Sequence, residues 1–329
     1  MSRRPTLKDV ARVAGVSQMT ASRALRGAGD VSVQTLKAVE NAARELGYVP
    51  NRIAGALASK RVNLVGVIVP SLSSFVFPEV LSGLSAGLKD TPLQPVVGLS
   101  AYDAETEERV IRDMLSWRPS GLVVAGLEHN EAARRLLENA EVPVVEIMDV
   151  DGTPIDHCVG ISHLKAGRMM AREILARGYR KIGFIGTKMP QDYRAAKRRA
   201  GFVETLAQAG VSLLDEELYA GGSTLGKGRE LTANLLQRSP EIDCIYYSSD
   251  VMSVGGLMHC LATGLRVPDD LALAGFNGLE LLEGLPVRLA TTDAHRFEIG
   301  RQAAELVLAG KGAPRVIELE PTVTAAGSL

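Results

Sequence analysis

The chain of 329 residues holds three cysteines, one tryptophan and five histidines, and aromatic residues make up only 4% of it. Cys158, Cys244 and Cys260 stand in or near apolar segments at intervals that match neither a metal knuckle nor a redox pair. That argues against a zinc site or dithiol chemistry, and buried, reduced thiols are expected. His129, His157, His163, His259 and His295 likewise show no metal-ligand pairing, so neither a metal nor a cofactor is expected. No apolar run is long enough to span a bilayer, and the opening Met1-Ser2-Arg3-Arg4-Pro5 has no apolar core of a secretion signal. The expectation is a cytoplasmic protein without a membrane partner. Net charge is also scarce, at −1 overall, but its distribution is uneven. Residues 1–60 carry ten basic and four acidic side chains, a net of +6, and the remainder carries −7. A compact basic head on an acidic body suits phosphate binding by the head alone.

The head has its own pattern. Thr6-Leu7-Lys8-Asp9-Val10-Ala11 starts one short helix, with Thr6 and Asp9 spaced for a capping box; Ala14-Gly15-Val16 breaks it; and Ser17 caps a second helix running to Leu25. Leu7, Val10, Ala11, Val16, Ala21, Ala24 and Leu25 can close a small core against a third helix over residues 32–46, ended by Gly47. This is a helix-turn-helix, and its second helix leaves Ser17, Gln18, Thr20, Ser22 and Arg23 outside. Such a helix offers its first residues to base edges in the major groove. Gln18 suits adenine, Met19 a thymine methyl, and Arg23 a guanine or a phosphate. A helical hairpin packing on protein is the bland alternative, and the basic charge weighs against it.

After Gly47, the stretch 48–61 contains Tyr48, Pro50, Asn51, Arg52 and Leu57 in a helix-compatible pattern. With TLKDVA, GVS, SR and GYxPN in place, the chain resembles the lactose and purine repressor family. The resemblance implies paired hinge helices in the minor groove of operator DNA, one per subunit of a homodimer, with Leu57 wedged between base pairs. A ten-residue helix containing Gly55 is marginal in water by itself, so its folding can be coupled to dimerisation and DNA. The resemblance also implies DNA contacts from Thr6, Asn51 and Arg52. Whether dimers pair into tetramers stays open.

From residue 62 onward, continuous apolar runs alternate with helical patterns. The runs are 64–69, 93–99, 121–125, 142–148, 181–185, 244–247, 271–275 and 289–291. Buried runs of this kind mean parallel sheets covered by helices on both faces. Two lobes are expected, crossing near 159–162 and 290–292, which the resemblance turns into a bilobed core like that of periplasmic sugar-binding proteins. The domain reading is therefore a headpiece over 1–47, a hinge over 48–61 and an effector-binding and dimerisation body over 62–329.

Ligands of such lobes sit beyond the carboxyl ends of strands, in the crevice between lobes. The loops there are rich in hydroxyls, amides and cations, which suits a polyhydroxylated acid. Ser71, Ser73, Phe77, Asp149, Arg194, Arg198, Ser249 and Asn277 are the candidate effector contacts. By resemblance, Arg198 in Arg198-Arg199-Ala200-Gly201-Phe202 is the effector-gripping arginine, and Asn277 stands where the family commonly has aspartate. The blocks Pro70-Ser71-Leu72, Met114-Leu115-Ser116-Trp117, 143–149 and 274–278 are similar to those of gluconate-operon repressors, implying gluconate or a phosphorylated relative as effector. Glu146, ending an apolar strand, must be paired or face the cleft. The glycine-rich 221–228 imitates a phosphate-binding loop but has Gly228 where a magnesium-binding Ser or Thr belongs, and no catalytic constellation stands out.

The reading is a repressor of sugar-acid uptake or catabolism and not an enzyme. Its rival is a cytoplasmic sugar-acid sensor without a DNA role. Leu57→Ala is expected to weaken operator binding and reduce the DNA bend, both measurable by anisotropy and gel mobility on permuted fragments; unchanged values for both would dismiss the wedge.

Overall fold

The computed structural model describes residues 4–25, 31–50, 62–73, 75–189, 191–325 and 327–329, and the chain divides into two compact units between Val62 and Asn63. In the first unit, α1 (Leu7–Val13), α2 (Gln18–Leu25) and α3 (Val33–Glu45) enclose a core of small side chains. Val10, Ala21 and Val39 are fully buried, with Ala11, Ala24, Ala42 and Ala43 around them. Thr6 and Asp9 form the capping box: the Asp9 amide donates to Thr6 Oγ1 at 3.4 Å, and the Thr6 amide donates to Asp9 Oδ2 at 2.9 Å. Gly15 takes φ +68° at the turn, a conformation that costs glycine nothing.

The second unit is two α/β lobes. The first lobe contains β1 (Leu64–Val69), α4 (Val76–Gly87), β2 (Gln94–Leu99), α5 (Ala104–Ser116), β3 (Gly121–Ala125), α6 (Glu131–Glu138), β4 (Val144–Asp149) and β5 (His157–Ile161). Next come α7 (His163–Ala176), β6 (Ile182–Thr187), α8 (Tyr193–Gln208), β7 (Leu213–Tyr219), α9 (Leu225–Arg238), β8 (Cys244–Tyr247), α10 (Asp250–Thr263) and β9 (Ala272–Ala274), which build the second. The chain then passes β10 (Thr291–Asp293), α11 (Arg296–Ala309), β11 (Val316–Glu318) and β12 (Thr322–Thr324). The first sheet has the order β11-β5-β4-β3-β1-β2 and the second β7-β6-β8-β9, with every pairing in both parallel. Their central strands are buried on both faces, which is why they read as unbroken apolar runs. Cys158, Cys244 and Cys260 are free and buried, and burial pushes the Cys158 thiol up to about 12.

The lobes are joined three times, at 161–163, 293–296 and 318–322, where two crossings were expected. Residues 159–161 belong to β5 of the first sheet and only the following residues cross. The expected strand 289–291 is shifted: β10 starts at Thr291 and pairs antiparallel with β12. The third crossing escapes sequence reading because β11 and β12 are three residues each, too short for a periodic signal. The connections adjoin one another. His295 Nε2 lies 2.8 Å from the Glu320 carbonyl, and Lys165 pairs with Glu320 and Glu318.

Close helix crossings set the positions of the cleft side chains. Where α7 meets α8, a Cβ on Gly167 would lie 2.0 Å from the Arg198 carbonyl, and one on Gly201 would lie 2.2 Å from that of Leu164. Backbone therefore packs on backbone, and α8 is held where Arg198 faces inward. Gly201→Ala is expected to lower stability by roughly 2–3 kcal/mol through overpacking. Urea unfolding of the full chain checks this, and an unchanged midpoint would show that the helices can separate at little cost.

Candidate DNA-reading face and effector cleft

On the head, α2 begins at Gln18, and the Ser17 hydroxyl accepts from the Thr20 amide at 3.1 Å while lying 2.8 Å from Thr20 Oγ1. Both hydroxyls are thus turned to the helix start. Gln18 is exposed, and Met19 is 72% exposed, unusual for so apolar a side chain. Ser22 and Arg23 are half-buried. The Thr6 hydroxyl donates to Asp9 Oδ2 at 2.6 Å, so it serves the cap as well as the surface. Asn51, Arg52 and Leu57 lie outside the described residues.

In the body, loops after the strands converge on a cavity of about 140 Å³ between the lobes. Ser73 comes from the loop after β1, Phe77 from the first turn of α4, Arg194 and Arg198 from α8, Ser249 from the loop after β8 and Asn277 from the loop after β9. Of the eight candidate contacts, these six line it. Two do not. Ser71 is hydrogen-bonded to Ser73, Oγ to Oγ at 2.7 Å, behind the lining. Asp149 is fully buried and accepts from Lys197 Nζ at 2.6 Å, an ion pair between lobes that also includes Glu128 at 2.5 Å. Its carboxylate is spent on Lys197, and burial raises its pKa above the usual range.

Arg198 dominates the cavity. It is 6% exposed, its guanidinium lies 3.7 Å from the centroid of the Phe276 ring, and it donates to His163 Nδ1 and the Ser248 carbonyl, each at 3.0 Å. Neither partner is a carboxylate, and among the described residues Arg198 Nε has no hydrogen bond of good geometry, although the buried Tyr246 hydroxyl interacts with the guanidinium. Because arginine only donates, His163 Nδ1 must accept, and the proton sits on Nε2, which donates to the Met148 carbonyl at 2.9 Å. Burial, and then the charges of Arg198 and Arg194, hold His163 well below its ordinary pKa, so it stays neutral. The Ser249 hydroxyl is also buried and unpartnered, at the start of α10. Arg194, 3.6 Å from Asp192, lies near the Phe77 ring and hydrogen-bonds Tyr102. A buried cation or hydroxyl without a partner carries its full desolvation cost until something satisfies it, and among the described residues Arg198 Nε and the Ser249 hydroxyl are in that position.

The sequence reading missed Tyr102, His163, Thr187, Asp192 and Ser223, which also line the cavity. Tyr102 and His163 look like ordinary turn and helix-start residues, and only the fold brings them across. A second chamber of about 280 Å³ adjoins at Tyr102 and Arg194, walled by Glu107, Glu128 and His129. Glu146, left open above, is structural: it accepts from the Ile155 amide and from His129 Nε2 at 3.3 Å. The loop 221–228 caps α9 through Thr224, and its Lys227 pairs with Glu230.

A small helical head and a bilobed parallel α/β body with a polar cleft between its lobes define a ligand-responsive DNA-binding regulator. Residues 6–51 match the family described as bacterial regulatory proteins, lacI family, and residues 63–321 match periplasmic binding proteins and sugar binding domain of LacI family. The chain belongs to the LacI family of transcriptional regulators, which are not enzymes. It is 40% identical over 307 residues to the HTH-type transcriptional regulator GntR of Pseudomonas aeruginosa, covering 93% of this chain and 89% of that one. With GntR of Escherichia coli K12 the identity is 34% over 334 residues, 99% of each chain. A crystal structure of a LacI family regulator from Silicibacter pomeroyi superposes with a TM-score of 0.94 at 57% identity, covering 98% of this chain and 99% of that one.

The buried His129 yields a pH prediction. Burial alone would lower its pKa, but hydrogen bonds to Glu107 at 2.6 Å and to Glu146 overrule it and lift the value to about 9. A folded-state pKa above the unfolded one gives stability that is complete below about pH 6.5 and lost as pH rises towards 9, on the order of 3 kcal/mol. Thermal unfolding should show this decline, and His129→Gln should flatten it; an equal decline in the variant would assign it to other groups.

Proposed function

We propose that this regulator represses genes of sugar-acid uptake or catabolism and that a gluconate-type acid in the cleft weakens its hold on the operator. The observation that carries the reading is Arg198: a buried guanidinium without a carboxylate partner, beside an unpartnered serine hydroxyl, suits a carboxylate ligand with hydroxyls along its length. The similarity to the GntR regulators supports the same class of effector. Ser73, Phe77, Arg194, Arg198, Ser249 and Asn277 are its contacts in this reading. On DNA, Ser17, Gln18, Met19, Thr20, Ser22 and Arg23 meet the major groove, with Thr6 beside them. Asn51, Arg52 and Leu57 serve the hinge of a cytoplasmic homodimer. The ligand must bind the weakly DNA-binding state more tightly, because equal affinity for both states shifts nothing.

Fluorescence anisotropy on DNA upstream of the protein's own and neighbouring genes, at fixed salt, with and without gluconate and 6-phosphogluconate, tests the whole reading. Tight binding that one of them weakens is the expected result; indifference to both discards the ligand class. Arg198→Ala should leave ligand-free operator affinity within about twofold and cost roughly 100-fold in ligand affinity, the loss of a charge-assisted bidentate contact. Retained ligand affinity would move the site elsewhere.

A further inference from the structure

Arg296 is 2% exposed and heads the fully buried side chains of the described residues by size. A buried guanidinium is costly unless all of its donors are used, and here the partners come from both lobes. Nε and Nη2 donate to Glu79 Oε2 at 2.8 and 2.6 Å, in the first turn of α4 in the first lobe. Nη1 donates to the Asn277 carbonyl and Nη2 to the Gly278 carbonyl at 3.2 Å, in the loop after β9 of the second lobe. Arg296 itself opens α11, immediately after the second crossing. It bridges the lobes from the hinge.

The loop it grips is under constraint. Asn277 has φ +127° and Gly278 +71°, and a Cβ on Gly278 would lie 2.9 Å from the Asp293 Cα. Asparagine seldom adopts such a backbone, which persists only where the surroundings overdetermine it. They do so here from two sides. The amides of the loop donate to the Thr292 carbonyl at 3.0 Å, Thr291 Oγ1 at 3.1 Å and Asp250 Oδ2 at 2.9 Å, while the carbonyls are taken by Arg296. Releasing Arg296 would strand the Gly278 carbonyl and leave that of Asn277 with only the long contact from the Ala294 amide at 3.4 Å, which loosens the loop beside the cleft.

We infer that Arg296 is a positioning residue for the cleft, and that the Glu79–Arg296–Asn277 chain couples ligand occupancy at Asn277 in the second lobe to α4 in the first. As a coupling element the link requires a second arrangement, with the carbonyls released, beside the held one seen here. Its ligand-dependent part rests on the proposed effector cleft. Its positioning part does not, and the test separates them.

Full-length wild type, Glu79→Gln, Arg296→Lys and Arg296→Met are compared by amide hydrogen exchange without ligand and by operator anisotropy with and without gluconate. Exchange at Asn277, Gly278 and Leu279 should accelerate about tenfold or more in Glu79→Gln and Arg296→Met while amides of β1 and β6 keep their rates, a local opening and not a global one. Arg296→Lys, which keeps the charge but loses the fork, should fall between. The fold-loss of operator affinity caused by gluconate should shrink about tenfold, with ligand-free operator affinity held within about twofold. Unchanged loop exchange overturns the positioning role, as does acceleration spread over the whole second lobe. A loop that loosens while the gluconate response stays whole overturns the coupling. If the wild type itself ignores gluconate, the effector reading falls, and loop exchange still decides the role of Arg296. Should Arg296→Met fail to fold, Glu79→Gln carries both measurements.

Discussion

The body is organised around a cation that its own fold leaves unanswered. Arg198 is buried by the α7–α8 crossing, stacked on Phe276 and hydrogen-bonded only to a neutral imidazole nitrogen and a carbonyl. His163 remains neutral because of its burial and, next, of that charge, and its tautomer is fixed by the hydrogen bond from Arg198. A carboxylate placed beside Arg198 would pair the buried charge, and in the proposed function the absence of one is what leaves room for an acid ligand.

Two other cations between the lobes are paired. Lys197 takes Asp149 and Glu128, and Arg296 takes Glu79 and two carbonyls. Satisfied and unsatisfied cations thus have separate places: the former hold one lobe against the other, and the latter wait at the lining. The two classes cannot be told apart by composition, since Lys197 and Arg198 are neighbours on one helix.

That limit marks where sequence reading ended. The headpiece was legible in detail because its signals are local: Thr6 with Asp9, Gly15 and Ser17 each act within three or four residues. The parallel sheets were legible because double burial leaves uninterrupted apolar runs, and a family pattern pointed to Arg198, which lines the cavity. Asp149 was misplaced, since nothing near it in sequence announces that Lys197, 48 residues on, will neutralise it. Tyr102, His163 and Arg296 depend on topology, and the three-residue strands β11 and β12 on pairing partners far away along the chain.

The triple connection between lobes fixes an order of assembly as well as a hinge. The first lobe begins at residue 63, yet its sheet is completed by β11, and α4 gets its partner only when α11 arrives, with a Cβ on Gly83 fitting no closer than 1.9 Å from the Phe297 carbonyl. During synthesis the headpiece is complete early, and the second lobe has nearly all its strands before the first is finished. The earliest α/β segment to leave the ribosome is therefore among the last to close its core, with the apolar face of α4 and the edge of β5 uncovered in the meantime. A chain stalled before residue 296 would carry a finished DNA-reading head on an unfinished lobe.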